Sequence, residues 1–306
     1  MTTLRIATRQ SPLALWQANH VKELLQRAHA GLHVELLPLT TRGDRWQEKS
    51  APKNFGKGLF VKELEEALIE NRADLAVHSM KDVPARQPLG LALCAFLAAE
   101  DPRDAFVSPR HARLADLPPG ATVGSASLRR RSQLLAQRPD LKVCDLRGNV
   151  GTRLKKLDAG EFDAILLACA GLRRLNLGER IAESLDPQQF VPAISQGVIG
   201  LECRTDDQRT RRLARALNDA ASATRLAAER ALNQGLGGNC NVPVAGHAVL
   251  KSGRISLTGL VASPDGRNLV RATLEGAEAD AENIGRSLAE RLLAAGAKKI
   301  LRELKA

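Results

Sequence analysis

The chain has 306 residues, of which 44% are hydrophobic and 26% charged, and its formal net charge is +11. This composition excludes a disordered chain, and at roughly 100 to 200 residues per domain the length predicts two or three domains. No apolar run approaches the ~18 residues of a membrane helix. Residues 1–10 lack the apolar segment of a signal peptide, so we expect a cytoplasmic protein without a membrane partner.

The excess of positive charge favours an anionic ligand, either a carboxylated metabolite or a nucleic acid. Aromatic residues make up only 3% of the chain, which disfavours a protein that stacks single-stranded bases but leaves duplex binding open. The cysteine count is odd, no C-x-x-C pair is present, and the histidines lack metal-ligand spacing. We therefore expect neither a disulfide framework nor a metal site.

Strands alternate with helices over the first hundred residues. Ser11 and Pro12 are typical of a helix N-cap and first helical position. The polar stretch Thr40 to Asn54 shows no periodicity and is predicted to be a mobile loop. The predicted elements are strands at 4–8, 33–39, 75–78 and 91–97 and helices at 13–28 and 59–70. This order indicates a parallel, doubly wound sheet.

The same pattern restarts after the charged segment Glu100 to Asp104 and changes after Asp219. The predicted elements of the second unit are strands at 122–124, 141–145 and 164–168 and helices at 128–137 and 150–159. A strand at 198–203 and a helix at 206–217 are candidates to return to the first domain. The remaining elements are helices at 222–233 and about 279–304 and strands at 242–250, 255–261 and 269–274. They predict a small α+β domain.

The segment His78 to Pro84 lies at the carboxyl end of an apolar strand, where ligands gather in open α/β sheets. An aspartate there, Asp82, could accept N–H hydrogen bonds from a substrate or stabilise a cation formed during a reaction. The other interpretation is a solvated turn ended by Pro84, and spacing alone favours it.

Two arginine-bearing segments, 124–131 and 146–153, also follow strands and open helices. Free N–H groups at a helix start bind anions, and arginine adds forked contacts to carboxylate or phosphate. Gly148 and Gly151 would let the backbone approach a ligand closely. Capped surface helices with a solvated basic face explain the same patterns, so both interpretations stay open.

Cys240 differs from the other cysteines because it lies in the polar loop 237–243, whereas the other four lie in apolar runs. An exposed thiol near arginines ionises readily and can form a covalent bond. An inert loop thiol is the commoner explanation of such a position.

Together these segments resemble the porphobilinogen deaminase family. The matching runs recur in order across almost the whole chain and are 4–15 (LRIATRQSPLAL), 56–64 (GKGLFVKEL), 76–84 (AVHSMKDVP), 101–108 (DPRDAFVS), 127–130 (SLRR), 146–154 (LRGNVGTRL) and 240–243 (CNVP). The match is weakest in 45–54 and after about Leu250.

The resemblance implies a transferase of haem biosynthesis that condenses four porphobilinogens head to tail, each losing ammonia, to give 1-hydroxymethylbilane. It implies a dipyrromethane cofactor linked to Cys240 through a thioether, catalytic roles for Asp82 and Lys81, and no metal. The other implied cofactor ligands are Lys57, Ser79, Ser127, Arg129, Arg130 and Arg147, with Asp82 again among them. The implied substrate ligands are Arg9, Ser11, Arg153, Arg174 and Gln196.

The resemblance also implies an α/β fold with two doubly wound domains like those of periplasmic binding proteins and a small C-terminal α+β domain. The active site is expected between the first two domains. Applied to the strand pattern, it predicts domain 1 at 1–98 and 198–217, domain 2 at 103–192 and domain 3 at 219–306. We expect a monomer that binds porphobilinogen and no nucleic acid.

Three positions depart from the family pattern. Asn239 and Ser195 stand where a glycine is usual, and Ala126 stands where a hydroxyl residue is usual. Two alternatives use the same residues differently. A non-enzymatic anion-binding protein needs the arginines but neither Asp82 nor Cys240, and a nucleic-acid binder needs only the net charge.

Overall fold

The computed structural model describes residues 2–46, 58–237 and 242–304. They divide into two compact units, which we describe separately. Unit 1 comprises Met1–Glu100 and Gly197–Ala223, and unit 2 comprises Asp101–Gln196 and Thr224–Ala306. The finer division into three domains stays a prediction.

The first elements in chain order are β1 (Thr2–Arg9), α1 (Pro12–Ala28), β2 (Leu32–Leu39), α2 (Arg42–Trp46), α3 (Lys62–Ile69), β3 (Leu75–Ser79) and β4 (Leu91–Phe96). The next are β5 (Asp104–Val107), β6 (Thr122–Gly124), α4 (Leu128–Gln137), β7 (Lys142–Cys144), α5 (Val150–Asp158), β8 (Ala164–Ala168), α6 (Cys169–Arg174) and β9 (Glu183–Ser184). The last are β10 (Ile199–Arg204), α7 (Gln208–Arg215), α8 (Ala220–Gly235), β11 (Val244–Lys251), β12 (Arg254–Ala262), β13 (Leu269–Ala277), α9 (Ala281–Leu292) and α10 (Lys298–Glu303).

The sheet of unit 1 has the strand order β2-β1-β3-β10-β4. β1 is parallel to β2 and β3, but β10 is antiparallel to both β3 and β4. The expectation of a wholly parallel sheet was therefore wrong. β10 enters the sheet from a distant part of the chain rather than through a strand–helix–strand crossover, so nothing requires it to run parallel.

Helix α1 begins as predicted, with Ser11 as N-cap accepting a hydrogen bond from Ala14 N and Pro12 in the first turn. It packs Ala18, Val21 and Leu25 into the core of unit 1. The predicted mobile loop was wrong over residues 42–46, which form α2. Asp44 accepts hydrogen bonds from the Thr41 backbone and hydroxyl at this helix start, a contact that periodicity does not reveal. Residues 47–54 lie outside the described residues.

Unit 2 contains a five-stranded sheet of order β7-β6-β8-β5-β9 and a three-stranded antiparallel sheet of order β11-β12-β13. β5 was missed because its first residue is charged, although Asp104 is fully buried. The closing helix predicted over about 279–304 is instead interrupted at Gly296, whose φ of 112° lies in the left-handed region. α8 and α9 pack Leu232, Leu288 and Leu292 into the core beneath the three-stranded sheet.

These sheets confirm the α/β class with two doubly wound sheets and a small C-terminal α+β part. In 2–46, 58–237 and 242–304, no helix combines the length and apolar character that a bilayer span needs.

Candidate functional site

A pocket in unit 1 lies where β1 and β3 end. Its lining residues are Arg9, Ser11, Leu13, Ala14, Gln17, Phe60, Val61, Leu64, Val77, His78, Ser79, Lys81 and Asp82. The structure thus brings together the five predicted site residues of unit 1 that it describes. They meet because the carboxyl ends of parallel strands share one edge of a sheet.

Asp82 is placed by a very short turn. β3 ends at Ser79, and Met80–Asp82 form a single turn of 3₁₀-helix in which Val83 N donates to Met80 O at 3.2 Å. Met80 is buried, whereas Lys81 and Asp82 are partly exposed. The turn therefore presents an ammonium and a carboxylate to the pocket from adjacent positions.

Two hydroxyls in the pocket have defined partners. Gln17, buried on α1, donates from Nε2 to Ser79 Oγ at 2.9 Å. Ser11 Oγ accepts from Ala14 N at 3.4 Å as the cap of the same helix. Sequence reasoning missed Gln17, but a polar residue among the inward positions of an amphipathic helix was a usable signal.

Arg9 is held from two sides. Its guanidinium donates to Asp44, with Nε at 3.2 Å from each carboxylate oxygen. The guanidinium carbon lies 4.1 Å from the ring centroid of Phe60, a cation–π arrangement. Burial alone would raise the pKa of Asp44, but the bonds from Arg9 and Thr41 lower it below its usual value. A ligand carboxylate at Arg9 would have to compete with Asp44.

A buried cluster of ionisable side chains lies on β3 and the elements packed against it. His78 Nε2 is 3.0 Å from Glu202 Oε2 on β10, and both side chains are almost inaccessible to solvent. Burial, and then the charge of Glu202, raise the pKa of Glu65 on α3 to about 7. His78 and Lys62 oppose this rise, and Glu66 adds to it. Glu65 therefore carries a proton over much of the acidic range.

We expect this proton to make stability depend on pH. The folded-state pKa of Glu65 lies above its ordinary value of 4.5, so its contribution is complete below about pH 4.5 and is lost as the pH rises through about 7. Glu65→Gln should flatten the fall in unfolding free energy across this window, measured by urea denaturation at several pH values. Glu23→Gln is the control, because Glu23 is an exposed glutamate of α1 that does not act on Glu65. An unchanged pH dependence in Glu65→Gln would contradict the assignment.

Unit 2 places the arginines of α4 on one buried carboxylate. Arg129 donates to both oxygens of Asp104 at 2.7 and 3.0 Å, and Arg130 donates from Nε at 2.8 Å. Each guanidinium also donates to a backbone carbonyl, Val191 O and Leu166 O respectively, at 2.9 Å. Burial would raise the pKa of Asp104, but the two arginines hold it far below its usual range.

The other predicted residues of unit 2 lie around this cluster or on the surface. Gln196 donates from Nε2 to Asp104 Oδ1 at 3.2 Å, and Ser127 caps α4 by accepting from Arg130 N at 3.4 Å. Arg153 donates to Gly148 O at 2.8 Å, whereas Arg147 is exposed beside Asp145. Arg174 is buried in α6. Their roles as carboxylate ligands stay predictions, and Lys57 and Cys240 lie outside the described residues.

Ser195, one of the three departures from the family pattern, has a φ of 64°, in the left-handed region where glycine is favoured. Its backbone N–H donates to the buried Glu229 at 2.6 Å. Its own hydroxyl is buried and has no hydrogen-bond partner among the residues that the structure describes. Ser195 therefore lowers the stability of the fold in two ways, through its left-handed backbone conformation and through the burial of an unpaired hydroxyl.

We expect Ser195→Gly to stabilise unit 2 by about 1–2 kcal/mol, because it removes both costs and loses only backbone entropy. Chemical denaturation measures the gain. Ser252→Gly is the matched control, since Ser252 has a φ of 51° but is exposed. A gain at position 195 no larger than at position 252 would show that the buried hydroxyl carries no cost.

Comparison with known proteins shows a family match over most of the chain. The model for "Porphobilinogen deaminase, dipyromethane cofactor binding domain" matches residues 4–212. The model for "Porphobilinogen deaminase, C-terminal domain" matches residues 223–294. The first match contains the whole unit 1 pocket and the α4 arginines, and the second contains the segment with Cys240.

Solved structures give a more distant likeness. The chain is similar to the VFT2 domain of BvgS from Bordetella pertussis, at 19% identity over 74% of this chain and 91% of that one, with a TM-score of 0.44. It is also similar to a periplasmic substrate-binding protein of an ABC transporter from Coxiella burnetii, at 15% identity over 72% and 94%, with a TM-score of 0.45. Such scores support no conclusion about function. The two family models together cover most of the chain. They show that this protein belongs to the porphobilinogen deaminase family, whose members are transferases of tetrapyrrole biosynthesis.

Proposed function

We propose that this family member is a hydroxymethylbilane synthase in which Asp82 is the catalytic carboxylate. Its substrate is porphobilinogen, four units of which are condensed head to tail with release of ammonia. The observation that carries the assignment of Asp82 is its position in a pocket that also holds Arg9, Ser11, Ser79 and Lys81.

The chemistry of this donor set fits the dipyrromethane cofactor of the family and its substrate. Acetate and propionate side chains need cations and hydroxyl donors, which Arg9, Lys81, Ser11 and Ser79 supply. Pyrrole N–H groups need an acceptor, which Asp82 supplies. When bound, the cofactor provides the pyrrole carbon to which the first substrate unit is joined, and its attachment keeps the growing product on the enzyme.

The side chains of the pocket have separate roles in the reaction. Lys81 and Arg9 hold substrate carboxylates, and Arg9 exchanges part of its contact with Asp44 to do so. Asp82 accepts a hydrogen bond from the pyrrole N–H and stabilises the positive charge left on the substrate when ammonia departs. A fixed carboxylate beside a forming cation lowers the barrier without reorganising at the moment of reaction.

The proposal extends to unit 2 and to the residues outside the described ranges. Cys240 would hold the cofactor through its sulfur, and the proposed cofactor ligands are Lys57, Ser79, Ser127, Arg129, Arg130 and Arg147. The proposed substrate ligands there are Arg153, Arg174 and Gln196. The forked geometry of the guanidinium groups supports the roles of Arg129 and Arg130, although Asp104 already accepts several of their N–H groups.

Intact mass spectrometry tests the family chemistry and the anchor together. Protein made in cells that supply porphobilinogen should exceed its sequence mass by two porphobilinogen-derived units, and Cys240→Ser should be found at the bare sequence mass. Cys144→Ser is the matched control, because Cys144 is an exposed free cysteine that should leave the added mass intact. Wild-type protein at its bare mass would favour the anion-binding alternative, and added mass on Cys240→Ser would overturn the anchor.

We further propose that the enzyme is monomeric, works in the cytoplasm and does not bind nucleic acid. The low aromatic content supports the last point for single strands, and the internal pairing of arginines with Asp104 supports it for duplexes. Duplex binding that weakens steeply with salt would contradict it.

A further inference from the structure

The turn that carries Lys81 and Asp82 cannot position itself. It is a single 3₁₀ turn whose internal backbone bond, Val83 N to Met80 O, is 3.2 Å long. Such short turns depend on contacts with their surroundings. What holds the turn therefore determines where the Asp82 carboxylate lies.

Met80 attaches the turn to the sheet. Its backbone N–H donates to Val198 O at 3.0 Å, just before β10 begins. Its side chain is 1% exposed and ranks among the largest fully buried side chains of the protein. The residue between the strand and the two functional side chains is thus anchored through both its backbone and its side chain.

Gly200 on β10 makes the space for this side chain. A Cβ placed on Gly200 would overlap Met80 Sδ and lie 2.9 Å from Met80 Cγ and 3.6 Å from Phe96 Cδ1. Ordinary carbon contacts are about 3.5–4.0 Å. Gly200 is not among the glycines with positive φ, so its requirement is for space rather than for backbone freedom.

We propose that Met80 and Gly200 are a positioning pair for the reaction. The Met80 side chain packs into the space left by the missing side chain of Gly200, and this contact holds the Lys81–Asp82 turn in its productive geometry. The proposal rests on the catalytic role of Asp82 given above. Neither residue has to touch the substrate. Their effect reaches the reaction through the direction in which Asp82 points, and displacements near 1 Å at such a group can cost about 100-fold in rate.

Kinetics of a double-mutant cycle test the pair. Gly200→Ala should lower kcat by about 10- to 100-fold with a smaller rise in KM, because the added methyl displaces Met80 and the turn that carries Lys81 and Asp82, while Arg9 and Ser11 stay in place. Met80→Ala should also lower kcat, since the anchor is lost. Adding Gly200→Ala to Met80→Ala should cause no further loss, because the overlap is gone. Each kcat is expressed per cofactor-loaded molecule, with loading measured by intact mass.

A second readout does not depend on activity. The chain has two methionines, Met1 and Met80, so in a protein labelled with ¹³C-methyl methionine the Met80→Ala variant identifies the signal of the buried Met80. This signal should shift in Gly200→Ala. Gly276→Ala is the packing control. Gly276 lies on β13 in the three-stranded sheet of unit 2, and a Cβ there would lie 2.8 Å from Ile284 Cδ1 on α9. This variant should lower the melting temperature and leave both kcat and the Met80 signal unchanged.

The possible outcomes distinguish a failure of the positioning pair from a failure of the catalytic role of Asp82. A kcat within twofold of wild type in Gly200→Ala or in Met80→Ala overturns the positioning pair even if Asp82→Asn is inactive. If Gly200→Ala causes the same loss in the wild-type chain and in the Met80→Ala variant, the pair is overturned as well, because the effect would then not pass through Met80. Full activity of Asp82→Asn would instead refute the catalytic assignment on which the pair rests.

Discussion

Asp82→Asn is expected to lower turnover by at least about 100-fold while the protein stays folded. The amide keeps the size of the side chain but removes the negative charge that would stabilise the cation left when ammonia departs. Because Asp82 is partly exposed and lies in a turn held by Met80, its loss should scarcely change packing. Release of ammonia and formation of linear tetrapyrrole from porphobilinogen measure the effect, and the melting temperature reports the fold.

Asp206→Asn is a suitable control, since Asp206 is an exposed aspartate of the same unit outside the pocket. It should leave turnover unchanged. Near-normal product formation by Asp82→Asn would remove the central residue from the proposed mechanism, whatever the remaining pocket residues do.

Asp104→Asn is expected to cost about 3–5 kcal/mol of stability, the largest effect on folding among the changes considered. The carboxylate is fully buried and accepts hydrogen bonds from Arg129, Arg130 and Gln196. Without this charge, two buried guanidinium groups lose their counter-ion. The NH₂ group of the asparagine would also face the N–H donors of Arg129 or Arg130, which it cannot accept. Urea denaturation at neutral pH measures the loss.

The charge of Asp104 should support the fold throughout the neutral range. Its folded-state pKa lies far below the ordinary value of 3.8, so the contribution is present above that pH and is lost only as the pH falls toward the folded-state pKa. Asp158→Asn is the control, because Asp158 pairs with Arg180 on the surface and should matter much less. Equal losses from the two variants would contradict the account of the buried cluster.

Local sequence patterns predicted much of the fold. The N-cap at Ser11 and the helix of residues 128–137 appear as expected, because apolar periodicity and capping act between residues close in the chain. The family motifs indicated the chemistry, because the residues that would carry it follow predicted strands and can be located in the sequence. β5 and α2 were missed because burial of Asp104 and pairing of Asp44 depend on distant partners.

The sequence by itself determined most of the strand–helix order, the family and the candidate groups Asp82 and Cys240. Only the tertiary structure decided that Arg129 and Arg130 share one buried carboxylate 25 and 26 positions away, and that Glu202 pairs with His78 across 124 positions. It also decided that Met80 is seated over Gly200. The physical reason is that a propensity or a cap involves a few neighbouring residues, whereas a buried charge or a close packing contact exists only when remote segments meet and exclude water.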